Sequence, residues 1–284
     1  LKILDLTNNQ LKVLNPKAYE DNSIIGSTFF NFNAITDIED SFFAKFNQLV
    51  HINFFNNRLK AITKSLFIQN SNLLVLELWF NDIETIEDYA FENCNSLVQL
   101  NLNGNRLRSI RRRTLLGLIS IDEISFESNQ IESIEDESFA DLKIVNMLIL
   151  SGNRLRNISR DAFKGLERLS MLFLAQNQIE YIDRDAFSHL IKLSAIEMSR
   201  NRIKSIQKQH SLFNLPKLDY VSMNNNPIGR FEAGSFDYVT KKENPFSSDL
   251  NRLEIANGNY VAIDFCDLRR CEHLYLTRSV LKIK

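Results

Sequence analysis

An asparagine recurs at a fixed interval along this 284-residue chain. Asn9, Asn33, Asn57, Asn81, Asn105, Asn129, Asn153, Asn177 and Asn201 stand 24 residues apart, and Asn226 follows one residue late. Two residues after each comes Leu or Ile, as at Leu59, Ile83 and Leu107. Three before it comes an apolar residue, such as Phe54, Leu78 or Leu102. Ten after it Phe dominates, with Tyr19 and Leu115 as variants and Ser211 as the exception. One unit reads LxxLxLxxNxLxxIxxxxFxxLxx. A period of this length commits a chain to stacked, quasi-one-dimensional repeats.

Each part of the unit has a physical task. The LxL segment alternates, which predicts a short strand with one buried face. The asparagine falls where the chain turns out of that strand. Its amide both donates and accepts, so it can satisfy backbone groups that a stacked turn would otherwise bury unpaired. The later Leu, Ile and Phe fill the wedge behind the strand, and stacked Phe rings predict an aromatic spine. Gly and Pro are scarce, at 8 and 4 residues, because the repeat itself makes the turns.

These ten in-register units resemble the leucine-rich repeat family, in its 24-residue extracellular class. Toll-like receptor ectodomains and insect leucine-rich immune and adhesion proteins look similar. The resemblance implies an α/β-class solenoid, a curved horseshoe. A parallel sheet would line its concave face, and irregular or short helical segments its convex side. Regular repeats are expected over 1–236. An insertion after Phe236 and degenerate units around Gly258 and Ser279 mark 237–284 as irregular repeats of the same solenoid. Both ends lie inside the apolar pattern, so the sequence reads as a fragment, and any membrane attachment would run through segments outside it.

The formal net charge of −1 argues against a chain built to hold polyanions, so no nucleic-acid partner is expected. The sign of the residues one and three after the asparagine flips from turn to turn: Arg58 and Lys60, Asp82 and Glu84, Arg106 and Arg108, Glu132, Arg154 and Arg156, Glu180, Arg202 and Lys204. Each cation is expected to meet anions on both neighbouring turns. The run Arg111–Arg113 falls in register between Glu87 and Asp88 on one side and Glu135, Asp136 and Glu137 on the other. It reads as part of a charge ladder, not a nucleic-acid patch.

Cys94 occupies the in-repeat position of Leu118 and Leu142, so it reads as a small buried apolar residue. Cys266 and Cys271 are disulfide candidates, paired with each other or with cysteines outside the fragment. Asn157, in the only N-x-S/T sequon, is a glycosylation candidate. No HExxH, GxSxG, P-loop or GxGxxG is present, the four His fall in different units, and neither metal nor cofactor is expected.

The remaining signal lies on the outward positions of the strands. Phe29, Phe32, Phe55, Trp79 and Phe80 fall on three adjacent turns, and Met147, Ile149, Met171 and Phe173 on two later ones. Between them the outward positions are polar and then acidic, with Asn101, Asn103, Glu123 and Glu127. Exposed aromatic clusters of this kind ask for a partner. The expectation is a non-catalytic recognition module of a secreted or cell-surface protein, binding a protein ligand ahead of a lipid or a glycan. The alternatives are an adhesion or matrix spacer that forms a homo- or heterodimer through the same face, and an intracellular scaffold.

Overall fold

The computed structural model describes residues 2–19, 23–40, 42–206, 215–218 and 220–228, with short strands at 230–231, 252–254 and 274–275. Its concave face is one parallel sheet whose strands follow each other in chain order. They run from Ile3–Asp5 through Ser27–Phe29, His51–Asn53, Val75–Glu77, Gln99–Asn101, Glu123–Ser125, Met147–Ile149, Met171–Phe173, Ala195–Glu197 and Tyr220–Ser222 to Arg252–Glu254 and Leu274–Tyr275. Register advances one repeat per strand, so Leu76 pairs with Leu100 and Leu100 with Ile124. Middle residues point inward and are buried, as at Ile52, Leu76, Leu100 and Ile196. Thr28 takes that place in the second turn, and its buried hydroxyl has no hydrogen-bond partner.

The asparagines join neighbouring turns. Asn105 Nδ2 donates to Leu102 O of its own turn at 2.9 Å and to Leu78 O of the turn before at 3.0 Å. Its Oδ1 accepts the Ile83 N–H, also of the turn before, at 3.0 Å. Asn57, Asn81, Asn129, Asn153, Asn177, Asn201 and Asn226 repeat this pattern in buried positions, and Asn33 in a part-buried one. Asn9 donates to the carbonyls of Leu6 and Thr7 in its own turn. Behind the ladder, Phe43, Phe67 and Phe91 stack at 5.8 and 6.2 Å. Phe139, Phe163 and Phe187 stack at 6.4 and 6.0 Å. The spine is thus two stacks, interrupted where Leu115 replaces a ring.

The convex side carries two short 3-10 segments, Pro16–Tyr19 and Phe42–Lys45, and a feature the repeat pattern does not announce. Two-residue strands pair there only from an odd turn to the next even one. Val13–Leu14 pairs with Asp37–Ile38, Ala61–Ile62 with Thr85–Ile86, Ser109–Ile110 with Ser133–Ile134, and Asn157–Ile158 with Tyr181–Ile182. Ser205–Ile206 pairs with Arg230–Phe231. Within the pair of turns three and four, Glu87 N donates to Ile62 O at 2.9 Å. Between turns four and five the matching carbonyl, Ile86 O, accepts instead from the Arg111 guanidinium at 3.0 Å.

The charges follow the same alternation. Arg106 reaches back to Asp82 at 2.6 Å, Arg154 to Glu132 at 3.9 Å and Arg202 to Glu180 at 3.5 Å. All three close junctions that lack strand pairing. The expectation of anions on both sides of each cation is corrected here: among the described residues, these arginines pair backward only. Forward, the paired backbone already fixes the spacing. Each member of the Arg111–Arg113 run has a partner in place. Arg111 lies 2.9 Å from Asp88, Arg112 lies 3.0 Å from Glu137, and Arg113 sits 5.7 Å over the Tyr89 ring. At the same junctions Gly117 and Gly165 hold φ of +96° and +100° against the preceding turn, where a Cβ would come within 2.2 Å of Phe91 O and 2.5 Å of Ala140 Cα. Only glycine fits there.

The proposed boundary at 236/237, and Cys266 and Cys271, lie outside the described residues. No described helix is long and apolar enough to cross a membrane.

Candidate binding surface

Outward positions of the strands form the concave surface, and its aromatic end is built by the turn that ends each strand. The residue just before each ladder asparagine adopts a left-handed backbone: Asn8, Phe32, Asn56, Phe80, Gly104, Ser128, Gly152, Gln176, Arg200 and Asn225 all have φ between 52° and 69°. Gly and Asn take this conformation at little cost, whereas a bulky residue pays about 1 kcal/mol or more. Phe32 and Phe80 nevertheless stand there, 46% and 53% exposed. The fold holds two large rings outward in strained backbone.

Phe55 and Trp79, one residue earlier in their own turns, link these rings. Phe32 meets Phe55 edge-on at 4.8 Å, Phe55 stacks on Trp79 at 3.8 Å, and Trp79 lies 5.6 Å from Phe80. Phe80 in turn covers Gly104. Phe55 and Trp79 shield each other and are partly buried, so Trp79 is less open to water than a lone outward residue would be. Phe29 points outward beside His51, with ring centroids 5.1 Å apart. Two buried polar atoms in this region have no partner, Asn31 Oδ1 and His51 Nε2.

Farther along, Met147 pairs with Met171 and Ile149 with Phe173, which makes a compact, partly buried apolar rectangle. In four other turns the matching strand residue is polar and caps the N–H two residues on. Asp5 accepts from Thr7, Asn53 from Phe55, Asn101 from Asn103 and Glu197 from Ser199. Hydrogen bonding to Thr7, first from its side chain and then from its N–H, holds the Asp5 carboxyl below the usual range. Ile149 and Phe173 have no acceptor and give up the cap. Between the two apolar areas, Asn103 Oδ1 accepts the Ser125 hydroxyl at 2.5 Å and the Glu127 N–H at 2.8 Å.

One apolar strip was missed on sequence. Val50, Leu74 and Val98 are 37%, 42% and 42% exposed at the opposite strand edge of turns three to five. Their signal was visible, since the same position holds Asp122, Asn146, Ser170 and Ser194 in later turns. Asn157 is exposed on its convex strand, and Cys94 is a buried free thiol. Among the described residues no group of His, Cys, Asp and Glu is placed to hold a metal ion.

Comparison with known proteins agrees with this architecture. A family model described as "Leucine rich repeat" matches residues 119–179, 145–203 and 176–228, and one described as "BspA type Leucine rich repeat region" matches 12–146. No curated protein sequence matches the chain. Among solved structures, a TLR13–ssRNA13 complex aligns with a TM-score of 0.81 at 19% identity, over 98% of this chain and 44% of that one. The Toll–Spatzle complex from Drosophila aligns with a TM-score of 0.81 at 18% identity, over 98% and 38%. An LRIM1/APL1C complex aligns with a TM-score of 0.76 at 20% identity, over 99% and 49%. The chain therefore spans less than half the length of each of these neighbours, and at such identity the likeness concerns the fold.

Proposed function

The chain belongs to the leucine-rich repeat family, and from that premise we propose that it is a non-catalytic protein-recognition module that engages its partner through the concave face. The observation that carries this reading is the pair Phe32 and Phe80. Each is exposed, each occupies backbone that disfavours its side chain, and each extends a ridge through Phe55 and Trp79. Strain kept at an exposed aromatic has a use outside the folded chain. Trp and Phe on a rigid sheet also lose little freedom on binding. The apolar rectangle of Met147, Ile149, Met171 and Phe173 is the second contact area. The structural neighbours include complexes of TLR13 with ssRNA13, of Toll with Spatzle and of LRIM1 with APL1C, which supports recognition as the task of the scaffold. An exposed sequon at Asn157 supports an extracellular or cell-surface setting.

A photocrosslinking benzoylphenylalanine placed at Phe55, and in a second protein at the exposed convex Arg184, tests the proposal. Each is irradiated in extracellular fluid from the source organism. Protein adducts from position 55 and none from 184 are expected. Adducts from 184 with none from 55 would overturn the concave reading.

A further inference from the structure

The concave surface differs from the rest of the molecule in charge. Over turns one to nine its outward positions hold Asp5, Glu77, Glu123, Glu127 and Glu197, against Arg200 alone among Lys and Arg. The whole chain is nearly neutral, with 34 Lys and Arg against 35 Asp and Glu. Its cations have been sorted away from this face. Three of those at its margin are occupied: Arg106 is held by Asp82, Arg154 by Glu132 and Arg202 by Glu180. Asp5, Glu77 and Glu197 each accept a hydrogen bond from their own surroundings. Among the described residues, the carboxylates of Glu123 and Glu127 accept none and lie in no ion pair. They stand between the aromatic ridge and the apolar rectangle.

Resting on the concave-face reading above, we propose that the occupant is an extended basic polypeptide segment that crosses the strands. One apolar side chain would sit on Trp79 and Phe80, another on Ile149 and Phe173, and a Lys or Arg between them would meet Glu123 and Glu127. The spacing supports an extended chain. Turn four to turn seven is three strand separations, about 14 Å, which an extended chain covers in about four residues. The same charge disfavours other occupants. A nucleic acid or an anionic membrane would be repelled by these carboxylates. Two copies of this chain joined concave face to concave face would oppose acid to acid.

The test titrates the protein with three synthetic peptides and follows the emission of Trp79, the chain's only tryptophan, with calorimetry alongside. The first peptide carries phenylalanines separated by about four residues that include two lysines. The second replaces the lysines by glutamates, and the third replaces the phenylalanines by alanines. The lysine peptide is expected to shift the emission and to weaken about fivefold or more with Glu123→Gln/Glu127→Gln, and again in high salt. The other two are expected to bind at least that much more weakly. If the lysine and glutamate peptides bind alike and Trp79→Ala removes both, the basic segment is overturned and the concave reading stands. If the alanine peptide matches the lysine peptide, the apolar anchors are wrong. If no peptide moves the emission at millimolar concentration, the inference falls, and the crosslink at position 55 separately judges the concave reading.

Discussion

The ring of Phe80 lies over Gly104 of the next turn, so closely that a Cβ at Gly104 would come within 2.6 Å of Phe80 Cδ1. Gly152 occupies the same place two turns later at a similar φ of +69°, but its nearest neighbours are atoms of Ser128 at 3.3 Å or more. The pair separates backbone strain from displacement of the ring. Both Gly104→Ala and Gly152→Ala should lower stability by about 1 kcal/mol in thermal or denaturant unfolding. Only Gly104→Ala should alter Trp79 fluorescence, because only it dislodges a ring next to that indole. Equal spectra for the two variants would contradict the packing of Phe80 described here.

Phe80→Asn places at this site the residue already found at Asn8, Asn56 and Asn225. Relief of strain, about 1 kcal/mol, should offset the lost ring contacts, so unfolding should stay within about 1 kcal/mol of the native protein. Trp79→Ala should cost about 1 kcal/mol through the lost stacking on Phe55, whereas Leu78→Ala, one residue away and buried, should cost about 2–5 kcal/mol. A large loss of stability from Phe80→Asn would show that the ring is core packing and not a binding surface.

Asn105→Leu should be far more damaging than Asn72→Leu. The first leaves Leu78 O, Leu102 O and Ile83 N without their side-chain partner in a buried setting, at about 1–3 kcal/mol each. The second removes a single exposed bond, to Asn47 O. Denaturant unfolding of the two variants gives the comparison directly. Comparable losses would mean that the ladder does not couple turns.

Cys94 should resist thiol reagents while the protein is folded. Burial pushes its thiol up to about 12, and the reactive thiolate is scarce at any ordinary pH. Labelling at pH 8 should become rapid only with unfolding. Fast labelling of the native protein would mean that the wall between turns four and five opens locally.

The solenoid was legible because its signals are local and repeated. A strand needs only the alternation around Leu76 or Leu100, and Asn105 needs only its place at the strand's end. The choice of outward residues, including Phe29, Phe55, Trp79, Met147 and Phe173, followed from the same period of two. What escaped depends on relations between turns. Nothing in one repeat tells that Ala61 finds a strand partner in the next turn while Thr85 does not, since that depends on the small rotation from turn to turn. The flip in charge sign hinted at pairs of turns, but not that Arg106 would turn back to Asp82 and leave Glu132 to Arg154. The strain at Phe32 and Phe80 was hidden for another reason. Position in the repeat is readable, but the left-handed backbone at that position is a property of the folded turn. Its trace in sequence was the company these residues keep, the Asn and Gly of neighbouring repeats.

The pairing of turns on the convex side bears on how an array of this kind can gain or lose length over generations. Excising one repeat, such as residues 106–129, would set the acidic edge of turn four against that of turn six and abut two even turns. No arginine would then reach back across the new seam. Excising two consecutive repeats preserves the phase of charge, of strand pairing and of the close approach at Gly165. The 24-residue period is the interval that the asparagines count. The unit that keeps the phase of charge and of convex strand pairing is twice as long.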